Sequence, residues 1–129
     1  MENSKPGESF SEKELIDLYK PNPVKGVKHS EGKARYDLIP VSAMRGLAEI
    51  LTYGATKYDS KNWERGVEWS KYYSALMRHL EKWRGGEWLD QDTGKSHLHH
   101  AHCNLVFMIE LETTHRELDD LTKIDWGLQ

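Results

Sequence analysis

The chain has one cysteine, no long apolar run and no excess of basic residues, and each of these absences excludes a class of protein. A single thiol, Cys103, rules out an internal disulfide and fits a reducing compartment. No apolar run approaches the roughly 18 residues of a membrane span, and the first residues lack the apolar segment of a signal peptide. A net charge of −3 does not mark a dedicated nucleic-acid binder. We expect a soluble, cytoplasmic protein with no membrane partner and no direct nucleic-acid binding.

The sequence also lacks the motifs by which many hydrolytic and nucleotide-handling enzymes are identified. It contains no P-loop, no G-x-S-x-G elbow, no H-E-x-x-H zinc motif and no pair of C-x-x-C units. Phosphate chemistry in this chain must therefore rely on a metal and on locally clustered cations.

A length of 129 residues fits one domain. Residues 1–40 are polar and contain all four prolines, and three of these, Pro6, Pro21 and Pro23, fall in the first 23 residues, which indicates an N-terminal arm. Within it, Ser11 and Glu14 form a capping box, so the sequence predicts one short helix from about Ser11 to Lys20.

Apolar residues at helical spacing predict three long helices in the core, residues 41–118. The first is expected at Val41–Tyr58 and the second at Trp69–Arg84, where two glycines follow as a stop signal. The third begins after the N-cap candidate Ser96 and ends before Asp119.

No strand signal competes with these helices, so we predict an all-α helical bundle. A loop at residues 59–68 and an acidic loop at residues 87–95 join the helices. Residues 119–129 are expected to form a tail helix or an extended strap, which we predict to pack on a partner subunit in an oligomer.

Histidine is concentrated at the start of the third core helix, where four of the seven histidines fall within six residues. In a helix, His97, His100 and Asn104 share one face, whereas His99 and His102 lie on the other and are expected to be exposed. Imidazole is a common metal ligand, so the shared face is a candidate metal site.

A fifth histidine, His79, lies in a largely apolar row of the preceding helix, and burial of a histidine is costly unless it is paired. Antiparallel packing of the two helices would bring His79 towards His97 and His100, with three carboxylates nearby: Glu81, Glu87 and Asp90. Metal or phosphate binding and a structural hydrogen-bond network both account for this arrangement.

Two further segments are candidate substrate contacts. In an extended segment Lys33, Arg35 and Asp37 point to one side, which suits a triphosphate and equally fits a charged surface strand. Lys57 with Asn62 and Trp63 suits a base that must be stacked and hydrogen-bonded, although Trp63 could simply pin the loop.

Three ordered blocks of sequence resemble a known family. They are Gly32-Lys33-Ala34-Arg35-Tyr36-Asp37-Leu38-Ile39-Pro40, Tyr53-Gly54-Ala55-Thr56-Lys57-Tyr58 through Asn62-Trp63, and Arg78-His79-Leu80 through His97-Leu98 and Asn104. Over about residues 30 to 112 the chain resembles the phage dATP/dGTP diphosphohydrolases, whose members are MazG-like and are called MazZ in phages whose DNA contains 2-aminoadenine.

The resemblance implies an all-α, oligomeric enzyme, a dimer or tetramer in the host cytoplasm. It implies a divalent metal, Mg²⁺ or Mn²⁺, and hydrolysis of dGTP or dATP to the monophosphate and pyrophosphate. In phages with 2-aminoadenine DNA the dGMP would feed synthesis of the modified nucleotide. The alternatives are a triphosphohydrolase that releases tripolyphosphate and a non-catalytic nucleotide- or metal-binding module of a replication complex.

The chain departs from the wider MazG pattern in its ligand residues. MazG-type helices carry E-E-x-x-E and E-x-x-D motifs, whereas here the corresponding positions are rich in histidine, which shifts metal preference towards manganese, zinc or other transition metals. We therefore assign the metal to His79, His97, His100 and Asn104. Glu81, Glu87 or Asp90 would complete the shell or act as base, and the substrate contacts would be Lys33, Arg35, Asp37, Lys57, Asn62, Trp63 and Arg78.

Overall fold

The computed structural model describes residues 9–19, 25–58 and 62–128, and these residues are helical wherever they form regular structure. Four α-helices follow one another, α1 (Glu12–Leu18), α2 (Val41–Lys57), α3 (Trp69–Arg84) and α4 (His97–Thr114). Short 3₁₀ turns lie at Tyr36–Leu38, Asn62–Arg65 and Arg116–Leu118. The described part of the chain contains no β-strand, so the predicted all-α fold is confirmed. None of the described helices combines the length and the apolar character that crossing a membrane requires.

The chain divides into two units, Met1–Ala34 and Arg35–Gln129. In the first, α1 begins where the capping box predicted, because Ser11 is the N-cap and its hydroxyl accepts a hydrogen bond from the Glu14 N–H at 3.2 Å. The helix ends at Leu18, and the predicted last residue, Lys20, lies outside the described residues.

In the second unit α3 and α4 form an antiparallel hairpin. Rings meet near the end of α3, where His79 contacts His97, and further back, where Tyr72 contacts Phe107. Because the residue numbers rise on one helix as they fall on the other, the two helices run in opposite directions. Both helices have the predicted starts, and the Ser96 hydroxyl caps α4 by accepting from the Leu98 N–H at 3.1 Å.

The loop between α3 and α4 is a closed hairpin. Asp90 N–H donates to the Lys95 carbonyl at 2.8 Å, and His97 N–H donates to the Trp88 carbonyl at 3.0 Å. These main-chain bonds tie the first turn of α4 to the acidic loop, so the loop's side chains have defined positions relative to both helices.

Helix α2 packs against α4 through a glycine. Gly46 is buried, and a Cβ atom added there would lie 2.1 Å from two ring atoms of His99. Beside this contact the Lys95 ammonium pairs with the Glu49 carboxylate at 2.9 Å. The expectation that His99 and His102 are exposed is wrong, since both are partly buried, and in the case of His99 the reason is the close approach of α2.

The C-terminal segment after Leu118 is an extended strap and not a helix. Asp120 accepts hydrogen bonds from the Ser70 N–H at 2.8 Å and the Ser70 hydroxyl at 2.5 Å, so it caps the first turn of α3 from 50 residues away. The ring of Trp126 packs edge-on against buried Trp69, with 5.8 Å between centroids. The strap therefore packs on its own chain.

We predict that Gly46→Ala lowers the free energy of unfolding and that Gly54→Ala does not. Both glycines lie in α2, but a Cβ at position 54 meets nothing within 4 Å, whereas at position 46 it meets the His99 ring. Overpacking should cost about 1–3 kcal/mol, while alanine at the open site should stabilise the helix by up to about 1 kcal/mol. Urea unfolding followed by circular dichroism measures both.

Replacing the clashing ring supplies the control. In the double variant Gly46→Ala with His99→Ala the added methyl group has space, so the loss should be smaller than the sum of the two single losses. Equal effects of the two glycine substitutions would contradict the packing described.

Candidate functional site

Three histidines from the facing ends of α3 and α4 form one cluster. His79 Nδ1 lies 2.9 Å from His97 Nδ1, and the rings of His79 and His100 stack with centroids 4.6 Å apart and planes 9° from parallel. The three-residue spacing of His97 and His100 puts both on the face of α4 that α3 covers. His97 has no solvent exposure, and the other two rings are half-buried.

A carboxylate from the loop holds the buried ring. Glu87 Oε2 lies 2.6 Å from His97 Nε2, and hydrogen bonding to His97, with Gln91 adding to it, lowers the pKa of Glu87. An ionised carboxylate can only accept, so His97 carries a proton on Nε2, and in the uncharged form of the ring the lone pair is on Nδ1. His79 must then donate from Nδ1, and its own lone pair is on Nε2.

A second carboxylate organises the loop beside the cluster. Asp90 Oδ1 accepts from the backbone N–H groups of Asp92 and Thr93, each at 3.0 Å, and from the Thr93 hydroxyl at 3.2 Å. Desolvation alone would raise the pKa of Asp90, but bonds from Thr93 and the nearby His100 outweigh it and lower the pKa. The Thr93 hydroxyl also lies 2.8 Å from His100 Nε2.

Burial keeps His79 and His100 uncharged at neutral pH. Desolvation, and after it the neighbouring imidazoles, lowers the pKa of His79 to about 4. Desolvation also lowers the pKa of His100, with Asp90 opposing the shift in part. The cluster therefore combines neutral imidazole nitrogens with ionised carboxylates, which is the donor set that divalent transition metals take.

The geometry is compatible with a single ion. His79, Asp90 and His97 each offer one ligand atom, and these atoms lie within 4.8 Å of one another. The two Nδ1 atoms are 2.9 Å apart, so binding one ion through both would require His79 to release the Nδ1 proton that it donates to His97. A metal-binding histidine usually donates a hydrogen bond to a carboxylate from the ring nitrogen that does not bind the metal. Glu87 accepts such a bond from Nε2 of His97.

A pocket adjoins the cluster between α2 and α4. Its volume is about 410 Å³, and its wall contains His100 and Asn104 from α4 together with aromatic rings and the Cys103 thiol. Burial raises the pKa of Cys103 to about 11, so this thiol is unreactive and serves as wall. The lining residues are Ile50, Leu51, Tyr53, Gly54, Ala55, Lys57, Tyr58, Asn62, Trp63, Val67, Tyr72, His100, Cys103, Asn104 and Phe107.

Trp63 and Lys57 have defined places at this pocket. Trp63 stacks on Phe107 with 5.7 Å between ring centroids. The 3₁₀ turn Asn62–Arg65 therefore packs against α4. Lys57 lies at the end of α2 with its ammonium 5.4 Å from the Tyr58 ring centroid. Asn62, Trp63 and Lys57, which the sequence grouped as candidate base contacts, thus all line one cavity.

Other predicted site residues lie apart from the cluster. Asn104 belongs to the pocket wall, and its amide donates to the His100 carbonyl within α4 at 2.9 Å. Arg78 and Glu81 are exposed on α3. Arg35 and Asp37 pair with each other at 2.6 Å on the surface, in a 3₁₀ turn and not in a strand.

Lys33 is exposed and belongs to the first unit. Sequence reasoning missed Thr93, whose hydroxyl joins Asp90 to His100. The only sequence signal for it was the Thr93-Gly94 turn, which indicates a loop but not a contact with a histidine.

Comparison with known proteins identifies the family of this chain. The family model described as dATP/dGTP diphosphohydrolase, N-terminal, matches residues 23–121. The chain belongs to this family. A curated dATP/dGTP diphosphohydrolase of Salmonella phage PMBT28 is 30% identical over 95 residues, which are 74% of this chain and 32% of that protein.

The family resemblance of the three sequence blocks is thereby confirmed, over a longer segment than the blocks themselves cover. The chain spans about a third of the length of the curated relative that it matches. No solved structure matches it.

We predict that His97→Ala destabilises the chain far more than His102→Ala does. The first substitution removes a fully buried ring and leaves Glu87 and His79 without their shared partner. The expected cost is about 2–4 kcal/mol, against less than about 1 kcal/mol for the partly exposed His102 on the same helix. Denaturant unfolding in metal-free buffer measures both, and equal losses would show that the cluster contributes nothing to stability.

Proposed function

We propose that this chain binds a purine deoxynucleoside triphosphate, dGTP or dATP, and hydrolyses it with a divalent metal to the monophosphate and pyrophosphate. The observation that carries the proposal is the position of His100, which stacks on His79 in the histidine cluster and also lines the 410 Å³ pocket. A base in the pocket would have its phosphates next to the cluster.

The proposed metal ligands are His79, Asp90 and His97, with Glu87 supporting His97 through Nε2. When bound, the ion would supply Lewis acidity and offset charge on the phosphate oxygens. Two imidazoles among the ligands favour Mn²⁺ or another transition metal over Mg²⁺.

The remaining roles belong to side chains of the pocket. Asn62 offers both a hydrogen-bond donor and an acceptor for a purine edge, and the Trp63 ring offers an apolar face. Lys57 is the cation in the pocket wall among the described residues, so we assign it to the triphosphate. Arg35 already pairs with Asp37 and would have to exchange that partner to bind phosphate.

The substrate assignment rests on family membership. The phage relative is named for dATP and dGTP, and the matching family model carries the same two nucleotides in its description. We place the reaction in phage purine deoxynucleotide metabolism, where the dGMP released would supply synthesis of 2-aminoadenine DNA in phages that make it.

A second candidate function is a non-catalytic nucleotide- or metal-binding module. It is favoured by one observation: the chain corresponds to an N-terminal family segment and to about a third of the relative's length. The same pocket and cluster would then bind their ligands without turnover.

We also propose that two to four copies of the chain associate. The buried apolar residues of the described chain are few: Ile50, Trp69, Ala101, Cys103 and Leu111. Long apolar side chains on the helices remain exposed, including Met44 at 53% and Ile109 at 56%. An exposed apolar surface of this kind is typical of a subunit contact.

The activity is tested by incubating the purified chain with dGTP and Mn²⁺ and separating the products by ion chromatography. We expect dGMP and pyrophosphate in equal amounts. Glu87→Gln weakens the support of a ligand and should lower activity about 10- to 100-fold, while His79→Gln should lower it further and His102→Gln should leave it unchanged. Deoxyguanosine with tripolyphosphate would identify a triphosphohydrolase instead, and tight binding without turnover would establish the module.

The association is tested by light scattering after size-exclusion chromatography. The wild type should exceed the 15.0 kDa of one chain at least twofold, because burial of the exposed apolar residues drives self-association. Met44→Glu combined with Ile109→Glu should reduce the mass to one chain while helical circular dichroism is retained, and the exposed polar substitution Glu110→Lys should not. A wild-type mass of one chain at all concentrations would overturn this part of the proposal.

A further inference from the structure

The hydroxyl of Thr93 occupies an unusual position, because three polar groups reach it at once. Lys95 N–H donates to Oγ1 at 3.2 Å, Asp90 Oδ1 lies 3.2 Å away, and His100 Nε2 lies 2.8 Å away. A hydroxyl has one proton to donate and two lone pairs to accept with. The roles of the three neighbours are therefore not independent.

The carboxylate decides which neighbour receives the proton. Ionised Asp90 can only accept, so the Thr93 hydroxyl must point its proton at Oδ1, and the opposite orientation would place two unprotonated oxygens against each other. Both lone pairs of Oγ1 then accept, one from Lys95 N–H and the other from His100. His100 can donate only if Nε2 carries its proton, which leaves the lone pair on Nδ1.

The ring that is fixed in this way belongs to the pocket. His100 lines the cavity, and its stacking on His79 limits rotation of the ring. We propose that Thr93 is a positioning residue that holds His100 as the Nε2–H tautomer, so that Nδ1 accepts a hydrogen bond from an N–H or O–H group of the bound nucleotide. The tautomer stands on the hydrogen bonds alone, whereas the ligand half of this inference rests on the proposed function.

Nuclear magnetic resonance of the ¹⁵N-labelled protein tests the tautomer. Long-range nitrogen–proton correlation spectra distinguish a protonated ring nitrogen from a bare one, and metal-free, mildly alkaline buffer keeps the histidines neutral and unligated. We expect wild-type His100 to show a protonated Nε2 and a bare Nδ1. Thr93→Ser retains the hydroxyl and should give the same pattern, while the near-isosteric Thr93→Val should move His100 towards a mixture of both tautomers.

Two results would overturn the positioning role. One is a wild-type His100 protonated on Nδ1 or already mixed, and the other is an unchanged His100 in Thr93→Val. The His79 and His97 resonances serve as an internal reference, because Glu87 and not Thr93 determines their tautomers. A variant that had lost its fold would shift all three histidines together, so a change confined to His100 is specific.

Calorimetric titration with dGMP tests the ligand half, since dGMP is not hydrolysed. Thr93→Val should weaken binding about three- to tenfold, the value of one hydrogen bond, and Thr93→Ser should restore it. Equal affinity of the wild type and Thr93→Val would show that Nδ1 has no ligand. Absence of dGMP binding to the wild type would overturn the proposed function, while the tautomer result would stand by its own measurement.

Discussion

The burial of His97 is the constraint on which the hairpin of α3 and α4 depends. An imidazole with no solvent exposure needs a partner for each nitrogen. Glu87 supplies one from the loop and His79 supplies the other from α3, at 2.6 and 2.9 Å. Because these partners come from different elements, satisfying one side chain fixes the loop and the two helices relative to each other.

The same requirement explains why the acidic loop is ordered. Its main chain closes through the Asp90–Lys95 bond, and its carboxylates are turned inward, Glu87 to His97 and Asp90 to its own turn and Thr93. A loop of acidic residues would ordinarily be a solvated surface. Here the loop encloses the histidine cluster together with α3 and α4. Each histidine of the cluster is oriented by a loop side chain or by another histidine.

Periodicity was enough to predict the helices, and the antiparallel packing of two of them was enough to predict that His79 meets His97 and His100. The predicted capping residues Ser11 and Ser96 are confirmed because a cap is a local interaction between residues two or three apart. Local signals also grouped Lys57, Asn62 and Trp63, which flank one helix end, and the structure places all three at one pocket.

Contacts between distant segments had no such signal. Gly46 gave no indication that it would be the point at which α2 meets α4, because a glycine within a helix is locally only a weaker helix former. Gly46 matters because the absence of a side chain leaves space for the His99 ring. That contact depends on how α2 and α4 cross. The capping of Ser70 by Asp120 likewise joins residues 50 apart, and nothing near either residue predicts the pair.

The distribution of charge around the site bears on how a triphosphate could be bound. The pocket wall is mostly apolar and aromatic, and Lys57 is its cation among the described residues. In the neighbouring cluster His79 and His100 add no positive charge at neutral pH, because burial lowers the pKa of both imidazoles. A triphosphate carries several negative charges that must be offset for attack at phosphorus. Because the chain has no P-loop and Lys57 carries a single charge, we propose that an ion bound by Asp90, His79 and His97 supplies the rest.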